Sequence, residues 1–258
     1  MTLTFYKYQG TGNDFVMVDN REEFFPKKDI KLIAFLCDRK FGIGADGLIL
    51  LEKDTTSDFK MVYYNADGNP STMCGNGGRC LVAFAKFIGM IKDETSFMAI
   101  DGIHKASING EIVSLQMQDV EKIDEKPKYS FLDTGSPHHV QLVEGLANLN
   151  VAKEGAKLRY GIYGETGSNI NFVEQSAPTV FNVRTYERGV ENETLSCGTG
   201  VTAVALAMFQ IGKVASNSIT INTPGGNLHV DFEKNGTGFK KIMLIGPAKQ
   251  VFKGTIEC

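Results

Sequence analysis

Apolar residues recur along the chain in two rhythms, and the changes between them mark out the elements. Alternation at every second residue, or a short unbroken apolar run, predicts strands at Leu3–Tyr8, Phe15–Asp19, Leu48–Leu51, Lys60–Tyr64, His104–Ile108 and Ile112–Met117. A second series falls at Val140–Val143, Asn169–Val173, Val180–Tyr186, Leu228–Phe232 and Lys241–Ile245. Ile30, Ile33, Ala34 and Cys37 repeat at helical spacing and predict a surface helix over Ile30–Arg39, with a counterpart near Val151–Leu158.

Two further segments have no polar side worth the name. Leu81, Val82, Ala83, Phe84, Ala85, Phe87 and Ile88 form one; Val201, Ala203 through Phe209 and Ile211 form the other. A helix apolar all round, and too short to span a bilayer, is buried inside its own domain. The surrounding strands predict a sheet curled around each helix. Gly89 and Gly212 stand where a helix-ending glycine is expected.

These two helices are copies. Cys74 and Cys197 lie 123 residues apart, and the same spacing relates Gly75 to Gly198, Gly77 to Gly200, Gly89 to Gly212, Gly102 to Gly225 and Gly12 to Gly135. Six pairs in one register, one of them a cysteine, point to a duplication with halves of about 1–128 and 129–258, the chain tail being able to pack back on the first half. The predicted fold class is therefore α/β (α+β). It has two pseudo-twofold domains, each a barrel-like, mostly antiparallel sheet wrapped around a central buried helix.

Composition narrows the function. The 258 residues are 42% apolar and 22% charged, enough for a sizeable core, and the net charge is −3. No basic face is available to neutralise phosphates, which argues against a nucleic-acid partner. The N-terminal MTLTFYKYQG lacks the basic and apolar regions of a secretory signal, and no apolar run reaches membrane-spanning length. The odd number of cysteines, five, reads as reduced cytosolic thiols rather than a disulfide framework. With no CxxC and four scattered histidines, no metal site is expected. Nor is a cofactor: there is no P-loop, and the GxG segments lack the strand–helix context of a dinucleotide fold.

What remains is the chemistry of Cys74 and Cys197. Each precedes Gly-x-Gly at the start of a buried helix, where N–H groups lack intrahelical acceptors and the dipole is positive. That end lowers a thiol's pKa from about 8.5 and also holds a carboxylate. A duplication axis would turn both thiols toward one small anionic ligand. Two chemistries suit such a pair: proton removal from one face of a carbon with return to the other, or cycling through a disulfide. A carboxylate on two helix ends favours the first, because it shares the charge of the carbanion.

The segments GTGNDFVMVD, FGIGADGLILL, YYNADGNPSTMCGNGGRC, TGSPHHV, NINFVE, RTYERGVENETLSCGTG, TPGGNLHVDF and GPAKQVFKG, from Tyr8 to Gly254, resemble the ordered motif series of the diaminopimelate epimerase family. The resemblance implies a cofactor-independent racemase of a small amino-acid substrate, cytoplasmic and homodimeric, with two similar domains. By matching position it makes Cys74 and Cys197 the base and acid pair. Gly75, Asn76, Gly198 and Thr199 would grip the reacting carboxylate; Asn13, Asn65, Asn169 and Arg188 would fix the distal end; His138 and Glu187 would lie near the reacting amino group. Two positions depart from the family: Ser136 replaces a distal-end asparagine, and Gly47 stands where some members have glutamine. Both remove amide contacts to the distal end and bear on which amino acid is turned over. Cys37, Cys80, His104 and His229 are expected to be structural.

Overall fold

The computed structural model describes residues 2–258. The chain divides into two compact units, Met1–Leu115 with Gly246–Cys258, and Gln116–Ile245. The division thus falls ahead of residue 128, and the tail belongs to the first unit.

In the first unit the strands are β1 (Thr2–Gly10), β2 (Asn13–Asp19), β3 (Gly47–Glu52), β4 (Phe59–Asn65), β5 (Glu94–Ala99), β6 (Gly102–Asn109) and β7 (Ile112–Gln116), with helices α1 (Ile30–Cys37) and α2 (Gly75–Phe87). The second unit contains β8 (Asp124–Glu125), β9 (Ser130–Asp133), β10 (Pro137–Leu142), α3 (Val151–Tyr163), β11 (Asn169–Ala177), β12 (Val180–Glu187), β13 (Asn192–Thr194), α4 (Gly198–Gln210), β14 (Ser218–Thr223), β15 (Gly226–Asn235) and β16 (Gly238–Pro247). A last strand, β17 (Lys249–Glu257), pairs antiparallel with β1.

The two units repeat one pairing series. From β17 through β1, β2, β3, β4, β5 and β6 to β7 the pairs run antiparallel, antiparallel, parallel, antiparallel, parallel, antiparallel, antiparallel. From β8 through β9, β10, β11, β12, β14 and β15 to β16 they run in the same order. The helices α2 and α4 keep the 123-residue spacing at both ends. Gly89 and Gly212 adopt φ of 75° and 72° after them, and Gly12 and Gly135 adopt 86° and 97°, so four of the repeated glycines hold backbone that other residues resist. Gly225 is not the structural counterpart of Gly102: Gly226, with φ 140°, opens β15 as Gly102 opens β6.

Each sheet wraps its helix. Strands β17, β1, β2, β3 and β6 touch α2, and β9, β10, β11, β12, β14 and β15 touch α4. Strand β3 is buried along its whole length because both its faces are covered, which is why it reads as an apolar run rather than an alternation. Val16, Val18, Leu48 and Leu50 face α1 with Ile33 and Leu36, while Phe15, Ile49 and Met61 meet α2 at Gly77. In α4 every residue from Gly198 to Met208 is buried; in α2 burial ends at Ala85, and Phe87 emerges half exposed against Tyr6.

Burial should therefore decide the cost of truncation along α2. Phe84→Ala, at a site closed to solvent, is expected to lower stability by about 3–5 kcal/mol in urea unfolding, and Phe87→Ala by about 0.5 kcal/mol.

Candidate active site

Both cysteines occupy the N-cap of a sheathed helix. Cys74 and Cys197 share extended backbone, with φ/ψ of −115°/120° and −123°/112°, and their carbonyls accept the first intrahelical bonds from Gly78 and Val201 at 2.7 and 2.9 Å. The following glycines are required by space. A Cβ on Gly77 would fall 2.9 Å from Ile49 Cδ1, and one on Gly200 only 2.5 Å from Asn171 Oδ1. Gly75, Asn76, Gly198 and Thr199 supply first-turn N–H groups, the donors that a helix leaves without internal acceptors.

The surroundings of the two cysteines differ. In the first unit the Cys74 thiol donates to Asn13 Oδ1 at 3.5 Å and accepts from the Gly77 N–H at 3.5 Å. Asn13 Oδ1 also accepts from Asn76 Nδ2 at 3.4 Å, and Asn13 Nδ2 donates to Asp46 Oδ2 at 2.6 Å, so the amide is held from both ends. Asp46 in turn pairs with Arg39, which grips Asp14 through both carboxylate oxygens at 2.7 and 3.0 Å; Lys7 reaches Asp14 at 2.7 Å. Burial pushes the Asp14 carboxyl up, but the hydrogen bonds and charges of Arg39 and Lys7 outweigh it and hold the group down at about 2.

In the second unit the chain of contacts is neutral. Cys197 Sγ lies 3.4 Å from Thr199 Oγ1, which lies 2.9 Å from His138 Nε2. His138 is closed to solvent, and burial together with the Arg188 charge pushes it down to about 3. Asn171 Nδ2 donates both to the His139 carbonyl at 2.9 Å and to His138 Nδ1 at 3.0 Å, while Asn171 Oδ1 accepts from Thr185. Those partners assign the proton of the neutral ring to Nε2, facing Thr199. Asn169 Nδ2 donates to Ser136 Oγ at 2.9 Å and its Oδ1 accepts from the Arg188 N–H at 2.9 Å. Glu187 ends β12 half-buried, and Arg188 reaches the Thr166 carbonyl.

The structure thus gathers Asn13, Cys74, Gly75 and Asn76 in the first unit, and His138, Asn169, Arg188, Cys197, Gly198 and Thr199 in the second. Asn65 sits at the exposed end of β4, opposite Gly47. No side chain fits at Gly47, because a Cβ there would lie 2.5 Å from both the Tyr63 ring and the Tyr64 carbonyl. Asn171 and Asp46 escaped the sequence reading; the signal for Asn171 was its place two residues after Asn169, on the same face of a buried strand. Cys37 and Cys80 are core thiols pushed up to about 12 by burial. His104 stacks on Phe97 and meets Asp101, and His229 bridges Ser218 and Thr220. Among the described residues no group of three or more His, Cys, Asp or Glu is placed to hold a metal, and no helix is long and apolar enough to cross a membrane.

A family model described as Diaminopimelate epimerase matches residues 5–123 and 130–251. The chain belongs to the diaminopimelate epimerase family. It is 62% identical over 256 residues to a diaminopimelate epimerase of Flavobacterium psychrophilum, covering 98% of this chain and all of that one. It is 42% identical to one of Chlorobaculum tepidum, covering 96% and 98%. The fold of this family member is shared with a phenazine biosynthesis protein of the PhzF family from Bacillus anthracis, at TM-score 0.81, 13% identity and full coverage of both chains. It is shared too with a hydroxyproline epimerase from Agrobacterium vitis, at TM-score 0.74, 16% identity and coverage of 99% and 92%.

The depressed basicity of His138 has a measurable sign. In the unfolded chain an imidazole titrates near about 6.5, whereas the folded one stays neutral to about 3. Unfolding therefore takes up a proton as pH falls through that window. His138 contributes stability that is complete above about 6.5 and is lost below it, at up to about 1.4 kcal/mol per pH unit. Denaturant titrations between pH 4.5 and 7 should show this slope, and His138→Gln should show less of it.

Proposed function

We propose that this chain is a diaminopimelate epimerase, interconverting LL- and meso-2,6-diaminopimelate by exchange of one α-proton through two cysteines and without a cofactor. The observation that carries the reading is the repeated N-cap cysteine: the same residue, in the same backbone conformation, begins both sheathed helices of a chain that is homologous to diaminopimelate epimerases over its full length.

The reaction follows from what these groups do. One sulfur, as thiolate, takes the α-proton; the C–H electron pair passes into the carboxylate as an enolate. The other sulfur, as thiol, gives its proton to the opposite face of the carbon and becomes the thiolate. The configuration inverts, and the thiols recover their starting protonation by exchange with water. Stabilisation of the enolate falls to the first-turn N–H groups of Gly75, Asn76, Gly198 and Thr199, which are fixed dipoles that need no reorganisation. Asn13 and Asn76 orient Cys74; His138 acts through Thr199 on Cys197. Being neutral, His138 donates a hydrogen bond rather than a full charge. Asn65, Asn169 and Arg188 hold the distal amino-acid end, with Glu187 near the reacting amino group. The family resemblance extends the reading to a homodimer working in the cytosol, where thiols stay reduced.

Gly47 and Ser136 favour a second reading, the same chemistry on another amino acid. Gly47 closes one side-chain position against Tyr63, and Ser136 offers Asn169 a hydroxyl where some relatives would offer an amide.

Proton NMR of the reduced protein with LL- or meso-diaminopimelate in D2O decides the matter. The α-proton signal should fade while the other isomer appears carrying deuterium. Cys74→Ala and Cys197→Ala should each lower turnover by about a thousandfold or more with unfolding midpoints close to the parent's. No exchange by the reduced parent would reject diaminopimelate as substrate; exchange into lysine, histidine, glutamate or hydroxyproline would establish the second reading. An active single mutant would overturn the two-thiol mechanism.

A further inference from the structure

The first unit buries one charge that the chemistry above leaves unused. Arg79, in the second turn of α2, has no exposed surface and is among the largest fully buried side chains of the chain. Burying a guanidinium costs several kcal/mol unless a carboxylate answers it. Among the described residues none does. NH1 donates to the Gly75 carbonyl at 3.3 Å, and NH2 donates to Asn76 Oδ1 at 3.0 Å and Thr11 Oγ1 at 3.4 Å, all neutral acceptors; Nε has no partner.

The fold makes room for this group at some cost. A Cβ on Gly10 would stand 3.3 Å from Arg79 NH2, and Thr11, a β-branched residue, is held at φ 50° with its hydroxyl toward the same nitrogen. The ionisable groups whose charge acts on Arg79 are two thiols, Cys80 and Cys74; burial pushes the guanidinium down to about 10 and those thiols oppose the shift. Cys80 is itself fully buried and stays protonated, pushed up to about 12. Cys74 is the less buried of the two thiols and stands at the N-cap, the end of the helix that favours negative charge.

We infer that Arg79 is a positioning residue for the reaction proposed above: its buried positive charge, set behind the amino end of α2, favours the thiolate of Cys74 and the substrate carboxylate on the same helix end. It also acts through a chain of side chains. NH2 fixes Asn76 Oδ1, which turns Asn76 Nδ2 toward Asn13 Oδ1, the acceptor of the Cys74 thiol. The inference rests on reading Cys74 as a proton-transfer group, but it concerns the thiol's own ionisation and is tested without turnover.

The measurement is the rate of iodoacetamide alkylation at Cys74, followed by peptide mass against pH, in the parent, Arg79→Met and Arg79→Gln. Both variants lose the charge. Methionine fills the volume without polar atoms, a replacement that buried charges tolerate; glutamine keeps an N–H donor for Gly75 or Asn76. Both should move the Cys74 profile to higher pH and slow alkylation at pH 7 by about tenfold or more, with the rate at Cys197 unchanged. An unmoved Cys74 profile in either folded variant overturns the inference, and where Arg79→Met alone shifts, the charge is excluded and the effect belongs to hydrogen bonding. Failure of both to fold would overturn it too, making Arg79 a structural anchor. A parent inactive on diaminopimelate would reject the proposed reaction and leave the alkylation result standing.

Discussion

A helix apolar on every side has to be sheathed, but its amino end cannot be, because the first N–H groups have no acceptor within the helix. That constraint organises both units. Strands cover the flanks of α2 and α4, and only the first turn of each helix has donors that something outside the helix must meet. Ordinary helices settle these donors with serine, threonine or aspartate. Cysteine caps weakly: Gly77 N–H meets Cys74 Sγ at 3.5 Å, and Cys197 makes no capping bond at all. A carboxylate, the ligand proposed for these ends, is what such an end binds best. The glycines complete the argument, since at Gly77 and Gly200 a methyl group would collide with the sheath itself.

Duplication gave the two cysteines one backbone setting, and divergence gave them different electrostatic ones. Around Cys74 lie Asn13, Asp46, Asp14, Arg39 and Lys7, a network of full charges that reaches the sulfur through one amide. Around Cys197 lie Thr199, a neutral His138, Asn171 and Thr185, hydrogen-bonded in series. Charge favours one protonation state over a distance of several ångströms, whereas a neutral hydrogen-bond chain fixes direction and responds to either state. In the proposed reaction the two sulfurs exchange roles with each inversion, and such a pair does not need identical surroundings. It needs the two protonation arrangements close in free energy, and unlike supports can balance as well as like ones.

How legible this was depended on whether each signal was local. The helices, the duplication and the glycine stops were plain, because apolar continuity and left-handed glycines are properties of short segments. The unit boundary was not. Strand β17 is mostly exposed and mixes charged with apolar residues, so nothing in its own sequence says that it pairs with β1 at the other end of the chain. Gly225 misled because two adjacent glycines offer two registers and only the backbone conformation chooses between them. The site residues divide the same way. The placing of Cys74 and Cys197 at helix starts, with the residues after them in the first turn, was readable from apolar pattern and motif. Asn171 looked like an ordinary strand residue, and its role exists only because β10 brings His138 beside β11. Arg79, a charge in the buried part of an apolar helix, was an anomaly present in the sequence all along.

The proposed substrate has two amino-acid ends, and the contacts proposed for them differ in kind. In the proposed reaction the reacting end is met by backbone N–H groups of a helix first turn, and no substitution removes a backbone donor other than proline. The distal end is proposed to meet side chains, which mutation can alter while the chemistry stays intact. Gly47 and Ser136 are changes of this second kind. At Gly47 the space is already taken by Tyr63 and by the β4 backbone, so a longer side chain there would require the β3–β4 pairing to move. At Ser136 the shorter group stays engaged: it holds Asn169, whose carbonyl oxygen is fixed by the Arg188 N–H. The polar group has been drawn back into the wall rather than lost. On the proposed reading, the distal end falls to Asn169 and Arg188 more than to position 136.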